Sequence, residues 1–275
     1  MIKIIADSGC DFTEEMLRAD VKRIPLTLQL GDINYEDSAE LDITSYIAAL
    51  NANPRGRKTA APSPEKFYNA YDEGDEIFAV TLSRHLSGSY TSAQTAKNMY
   101  IEEKGEKFIH VIDSQSASAG ETRIVHELLR LIDKGLTAQE IKTEIDKFVL
   151  QMQTYFILES FNTIVDSGRM NGYVAKLASM LNIVPICAGV EGKMALLTQT
   201  RGRKKAYAKL AELMGETDRD TSQCELFITH VDAYDEAESL SQYLSGKLGF
   251  KNTVIAPPTG LVCTYADYHG LIIAF

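Results

Sequence analysis

Residues 85–92, HLSGSYTS, set a histidine and a glycine among serines and a threonine, two residues after the apolar run IFAVTL (77–82). Three chemistries suit such a stretch. Ser87 could be a nucleophile with His85 as its base, the turn could cradle an anion, or the hydroxyls could simply cap a helix. The nucleophile reading is the weakest. Serine hydrolases built on α/β sheets present G-x-S-x-G, whereas here the serine precedes the glycine and no glycine lies before it. A histidine two residues from its serine also gives poor base geometry. An acyl hydrolase using Ser87 is therefore only a third alternative. An anion cradle fits better: Gly88 permits close backbone approach, and Ser87 and Ser89 add donors at a helix start.

Two further turns share this design, IIADSGCD (4–11) and HVIDSQSAS (110–118). Each puts small polar residues where an apolar strand stops and a helix begins. In an open parallel sheet such turns line the crevice in which ligands bind, although Ser, Asp and Thr also serve there as plain caps. Asp7 and Asp113 read as turn formers rather than metal ligands, because no ligand cluster accompanies them. Neither G-x-G-x-x-G nor G-x-x-x-x-G-K-[ST] occurs, so dinucleotide and P-loop chemistry have no support. No metal and no cofactor is expected.

Bulk properties narrow the class. With 38 acidic against 28 basic residues the net charge is −10, which argues against a nucleic-acid surface. The basic run RGRKKAYAK (201–209) reads as a solvated helix face or a partner contact. Cys10, Cys187, Cys224 and Cys263 are scattered without metal spacing, as expected of reduced thiols in a cytoplasmic protein. The start MIKIIADSGCD lacks the character of a signal peptide, and no stretch approaches the roughly 20 apolar residues that span a bilayer.

The elements that must position the three turns follow from periodicity. IKIIA (2–6), IFAVTL and FIHVI (108–112) read as strands alternating with helices, the pattern of a parallel sheet. Ser63-Pro64 starts one helix, residues 121–132 place Ile124, Val125, Leu128, Leu129 and Ile132 on one face of another, and Thr137-x-x-Glu140 forms a capping box. The second half is strand-rich, with a hairpin at VEGKMALL, and suggests a mixed or antiparallel sheet backed by helices. The fold class expected is α/β in two domains: an N-terminal parallel-sheet α/β domain over 1–155 and a C-terminal α+β domain over 156–275.

Taken in order, the motifs resemble the DegV family from end to end. They are IIADSGCDF, IPLTLQLGDINYED (24–37), TAAPSP (59–64), LSGSYTSA (86–93), DSQSAS (113–118), DSGRMNG (166–172), LNIVPIC and TRGRKKAYAKL. The resemblance implies a soluble two-domain protein, not itself an enzyme, that binds one long-chain fatty acid and presents it to a separate fatty-acid kinase. Transient contact with a membrane is compatible with that role. By position, Thr59 and Ser87 would bond the carboxylate, assisted by backbone N–H groups near Gly88 and Ser89. Arg169 occupies the family's arginine, at the ligand or in an interdomain ion pair. The sequence departs from the family at VCTYADYHG (262–270), where Tyr265 stands at the place of a histidine, and at Ala60, Ala61 and Val184. A tyrosine donates a hydrogen bond without the positive charge a histidine can carry. The alternative is therefore the same fold binding another amphipathic carboxylic acid, uncoupled from any kinase.

Overall fold

A computed structural model describes residues 1–170, 174–176 and 180–275 of the chain. The three apolar runs of the first half are strands β1 (Ile2–Asp7), β6 (Glu76–Thr81) and β7 (Phe108–Asp113). With β2 (Lys22–Ile24) they form a parallel sheet in the order β2-β1-β6-β7. The central residues of β1 and β6 are buried, as continuous apolar runs in a helix-covered sheet must be. The periodic segment at 121–132 lies within the helix Ala119–Asp133, whose Ile124, Val125 and Leu128 have no exposed surface. Thr137 and Glu140 complete the anticipated capping box of the helix Ala138–Gln151.

The second half forms a six-stranded mixed sheet. Its strands are β8 (Thr154–Ile157), β9 (Ile183–Val190), β10 (Lys193–Arg201), β11 (Glu225–His230), β12 (Asn252–Ala256) and β13 (Leu271–Ala274). They run in the order β10-β9-β8-β13-β11-β12, with only β11 and β12 parallel. The hairpin turns at Glu191-Gly192, both in the left-handed region, as a two-residue connection requires. Helices Arg203–Gly215 and Tyr234–Leu248 pack on one face of this sheet. A third, antiparallel sheet was not expected: β3 (Thr27–Leu30) pairs with both β4 (Ile33–Glu36) and β5 (Arg57–Ala60). Leu26-Thr-Leu-Gln-Leu30 alternates as a strand should, with its leucines buried, but nothing in RKTA (57–60) marks β5 as its partner.

The short helix Gly260–Ala266 joins these parts. Although it precedes β13, its first turn is held from the other half of the chain. Asp37 accepts from the N–H groups of Gly260 at 2.8 Å and Leu261 at 2.9 Å. Asp11 accepts from the Thr259 N–H at 3.1 Å, from the Ser118 hydroxyl at 2.5 Å and from the Thr229 hydroxyl at 2.7 Å. Farther along, Tyr46 shares a hydrogen bond of 2.8 Å with Thr264. Gly260 is required by this close approach, since a Cβ there would lie 2.5 Å from Leu28 and 2.9 Å from an Asp37 oxygen. Both carboxylates are fully buried. Burial pushes Asp11 up to about 7 and Asp37 up to about 6, against the downward pull of their hydrogen bonds.

Two outcomes follow. Asp37→Ala leaves two buried helix N–H groups without an acceptor and should cost about 2–4 kcal/mol in chemical denaturation. For Asp11, the native carboxyl holds its proton more tightly than the unfolded one, at about 3.9. Its stabilising contribution is therefore complete below about pH 4, is lost as pH rises through about 7, and is flat above about 8. Unfolding of wild type and Asp11→Asn across pH 4–8 should show the wild type losing ground to the variant over that window. A pH-independent difference contradicts it.

Candidate functional site

The three hydroxyl-rich turns do meet at the carboxyl edge of the parallel sheet, and they are wired to one another. Asp7 accepts from the N–H groups of Gly9 at 2.8 Å and Leu82 at 3.0 Å, tying the first turn to the second. The Ser83 N–H donates to Ser116 O at 2.9 Å, and the Ser118 N–H to Gly9 O at 2.9 Å. Asp113 accepts from the N–H groups of Arg84 and Gln115, so both aspartates act as turn formers. No group of residues that could hold a metal ion is found among the described residues. Other hydroxyls cross to the mixed sheet: Ser83 donates to Gly192 O at 2.6 Å, and Ser116 pairs with Thr154 at 2.7 Å.

An apolar cavity lies between this edge and the facing surface of the mixed sheet, with about 660 Å³ of space unfilled by atoms, its mouth included. The parallel-sheet side contributes Gly9, Leu82, Leu86, Ser87, Ala117 and Ser118. Phe156, Leu158, Met194 and Ile272 line the other side, and Leu261, Val262, Tyr265 and Ala266 form a wall from the clamped helix. Leu26 and Thr59 come from the small third sheet's segment, and Ile164 from the helix Asn162–Asp166.

Polar groups gather at one end. The Tyr265 hydroxyl is 2.8 Å from the Thr59 hydroxyl and accepts from an Arg169 Nη at 2.7 Å. The guanidinium also donates through Nε to Leu86 O and stacks 5.1 Å from the Tyr265 ring centre. Arg169 thus borders the cavity and at the same time links the two halves of the chain through Leu86 O. Of the DSGRMNG turn, residues 171 and 172 lie outside the described residues.

Ser87 lies on the cavity wall, but Gly88 and Ser89 stand behind it. Gly88 caps the helix Ser89–Lys104. The Ser87 hydroxyl accepts from the Ser89 N–H at 3.2 Å and pairs with the Ser89 hydroxyl at 3.2 Å. No hydrogen bond joins Ser87 to the His85 ring, so the geometry of a serine nucleophile with its base is absent. His269, four residues after Tyr265, faces Glu236 at 3.4 Å.

Several contributors were missed by reading the sequence. Arg203, from the basic run, is neither solvated nor free: it binds Glu159 and Glu236 and donates to His269 O at 2.8 Å, bracing the turn after Tyr265. Arg57 holds the same turn through Asp267 at 3.4 Å. Asp37 was visible only as part of a motif, because nothing local to it indicates a partner more than two hundred residues away.

Comparison with known proteins agrees with this architecture. A sequence profile described as "Uncharacterised protein, DegV family" matches residues 1–269. A DegV domain-containing protein of Streptococcus gordonii is 33% identical over 99% of this chain and 98% of its own length. Among solved structures, a DegV family protein from Ruminococcus gnavus, refined with vaccenic acid, superposes with a TM-score of 0.94 at 33% identity, covering 100% of this chain and 99% of its own. The B3 protein of the Streptococcus pneumoniae fatty acid kinase, loaded with linoleic acid, gives 0.92 at 30% identity over 100% and 99% of the two chains. A Eubacterium eligens relative loaded with heptadecanoic acid gives 0.93 at 29% identity, with the same coverage. The chain belongs to the DegV family.

Proposed function

We propose that this protein binds one long-chain fatty acid in the apolar cavity and presents its carboxylate to a fatty-acid kinase, which carries the catalysis. The observation that carries this reading is an apolar cavity closed at one end by the Thr59–Tyr265–Arg169 cluster with Ser87 beside it. Relatives of near-identical fold hold vaccenic, heptadecanoic and linoleic acids, which supports the same ligand class here.

The energetics suit such a ligand. About 14 methylenes at about 0.8 kcal/mol each give roughly 11 kcal/mol gross before ordering costs. A carboxylate drawn from water needs hydrogen bonds in return. With one of the Thr59 and Tyr265 hydroxyls donating to the other, that pair and Ser87 leave two hydroxyl donors, and the Arg169 guanidinium, bonded to Tyr265, adds positive charge beside them. Where an imidazole is usual, Tyr265 offers a neutral phenol, with the Arg169 guanidinium bonded to it at 2.7 Å. No helix among the described residues is long and apolar enough to cross a membrane. The four cysteines are free and buried, in keeping with a carrier working in the reducing cytoplasm.

Native mass spectrometry of the purified protein should show a co-purified acyl chain, or uptake of C16–C18 acids one to one. A protein that takes up none of them refutes the reading. Adding a fatty-acid kinase, ATP and oleate should yield acyl phosphate; bound oleate that is never phosphorylated favours the uncoupled alternative. Tyr265→Phe removes a hydroxyl bonded to both Thr59 and Arg169, and should weaken oleate binding roughly tenfold in titration calorimetry.

A further inference from the structure

Behind the cavity wall at Gly9, two acids lie carboxyl to carboxyl. Asp7, at the end of β1, and Glu121, in the first turn of the helix Ala119–Asp133, have no exposed surface. They stand on either side of Gly9, which lines the cavity. Asp7 accepts from the Gly9 N–H, and a Cβ on Gly9 would lie 2.5 Å from a Glu121 oxygen and 2.4 Å from Leu82 Cγ. The Asp7 and Glu121 side chains are themselves in hydrogen-bond contact.

Such a contact needs a proton. Two ionised carboxylates offer only acceptors and repel, whereas one proton between them makes a charge-assisted bond. The neighbouring elements bring no cation to offset a second charge. The turn after β1 brings the Cys10 thiol and Asp11, with Asp37 behind them as a further acid. The Leu82 N–H arrives from the end of β6, and the Ser89 hydroxyl from the helix Ser89–Lys104. Thr229 and the Thr259 N–H, on the mixed-sheet side, are bonded to Asp11. On the helix of Glu121 itself, Thr122 is bonded to Asp11 O, Arg123 faces Glu127 at 3.4 Å and His126 pairs with Thr13 at 2.9 Å. Arg23, from β2, is turned to the Phe12 ring and Ser38 O.

The bonding pattern says which of the two holds the proton. Asp7 accepts from the Gly9 N–H at 2.8 Å, the Leu82 N–H at 3.0 Å and the Ser89 hydroxyl, so its neighbours satisfy the ionised form. No N–H or hydroxyl among the described residues donates to either Glu121 oxygen. Burial pushes both groups up, Glu121 well above the usual carboxylate range. We propose that Glu121 is a positioning residue for the ligand cavity: protonated in the folded protein, it donates to Asp7, and the pair, carrying one negative charge instead of two, fixes Gly9, Leu82 and Ser89 for an anionic ligand. The role rests on the fatty-acid reading. Gly9 and Leu82 line the cavity, and Ser89 is bonded to Ser87 at its wall. A second charge here would split the pair and repel a carboxylate ligand.

Unfolding of wild type and Glu121→Gln between pH 5 and 7.5 tests the proton. The unfolded glutamate ionises near about 4.3, while the folded one keeps its proton far above that. Its stabilising contribution is therefore complete below about pH 4 and is lost progressively as pH rises towards the folded value. Over this window the folding equilibrium of wild type should fall by roughly tenfold per pH unit relative to the variant, whose carboxamide does not titrate. An equal pH dependence means that Glu121 is ionised in the folded protein and overturns the proposal. Oleate binding at pH 7 tests the positioning. Glu121→Leu and Asp7→Asn should each weaken it roughly tenfold, and Glu121→Gln, which keeps a donor towards Asp7, should recover most of that loss. Wild-type affinity in a folded Glu121→Leu protein, or no recovery in Glu121→Gln, overturns the positioning role. Should the leucine variant not fold, the Glu121→Gln measurements alone still decide both points. Absence of oleate binding in wild type removes the fatty-acid reading and the positioning role together, while the unfolding comparison still reports the proton.

Discussion

Two carboxylates buried without a cation in hydrogen-bond contact hold the site together. Asp11 and Asp37 belong to the first part of the chain, yet their oxygens are bonded to the first turn of the helix Gly260–Ala266 and to Thr229. A helix start offers N–H groups with no partner inside the helix, and a buried carboxylate needs donors, so each deficit answers the other. Burial still weighs on the charge, which is why both groups are pushed up into the range of about 6 to 7. The consequence is positional. A seven-residue helix with little intrinsic stability becomes a fixed wall, and Tyr265, in its last turn, is brought beside Thr59 and Arg169.

The cavity follows from how the two large sheets face each other. Hydroxyl-rich turns end the parallel strands, so that edge cannot pack flush against the apolar face presented by Phe156, Leu158 and Ile272. Where serines find partners across the gap, as Ser83 and Ser116 do, the halves are joined; where they do not, an apolar space remains. Its head end carries the hydroxyls of Thr59 and Tyr265, with the Arg169 guanidinium bonded to the latter.

Strand and helix were legible wherever period and punctuation agreed. IKIIA, IFAVTL and FIHVI, bounded by polar turns, could be little else than parallel strands, and the capping box at Thr137–Glu140 is a purely local signal. The ordered motifs carried the resemblance, and through it Thr59, Ser87 and Arg169. What could not be read was long-range. Leu26-Thr-Leu-Gln-Leu30 alternates, but its pairing with RKTA (57–60), a segment without pattern, does not show in the sequence. Asp37 gives no sign of its bonds to Gly260 and Leu261, nor does Arg203 of its grip on the turn after Tyr265. Gly88 and Ser89 look equivalent to Ser87 in sequence, and only the helix start at Ser89 turns them away from the cavity.

The most direct measurement is a crystal structure of the protein saturated with oleate. A single curved ribbon of density should run between Phe156, Met194 and Leu261, with its carboxylate among the hydroxyls of Thr59, Ser87 and Tyr265. Density that places the carboxylate at the far end of the cavity, or a cavity that stays closed and empty in saturating oleate, would contradict the account.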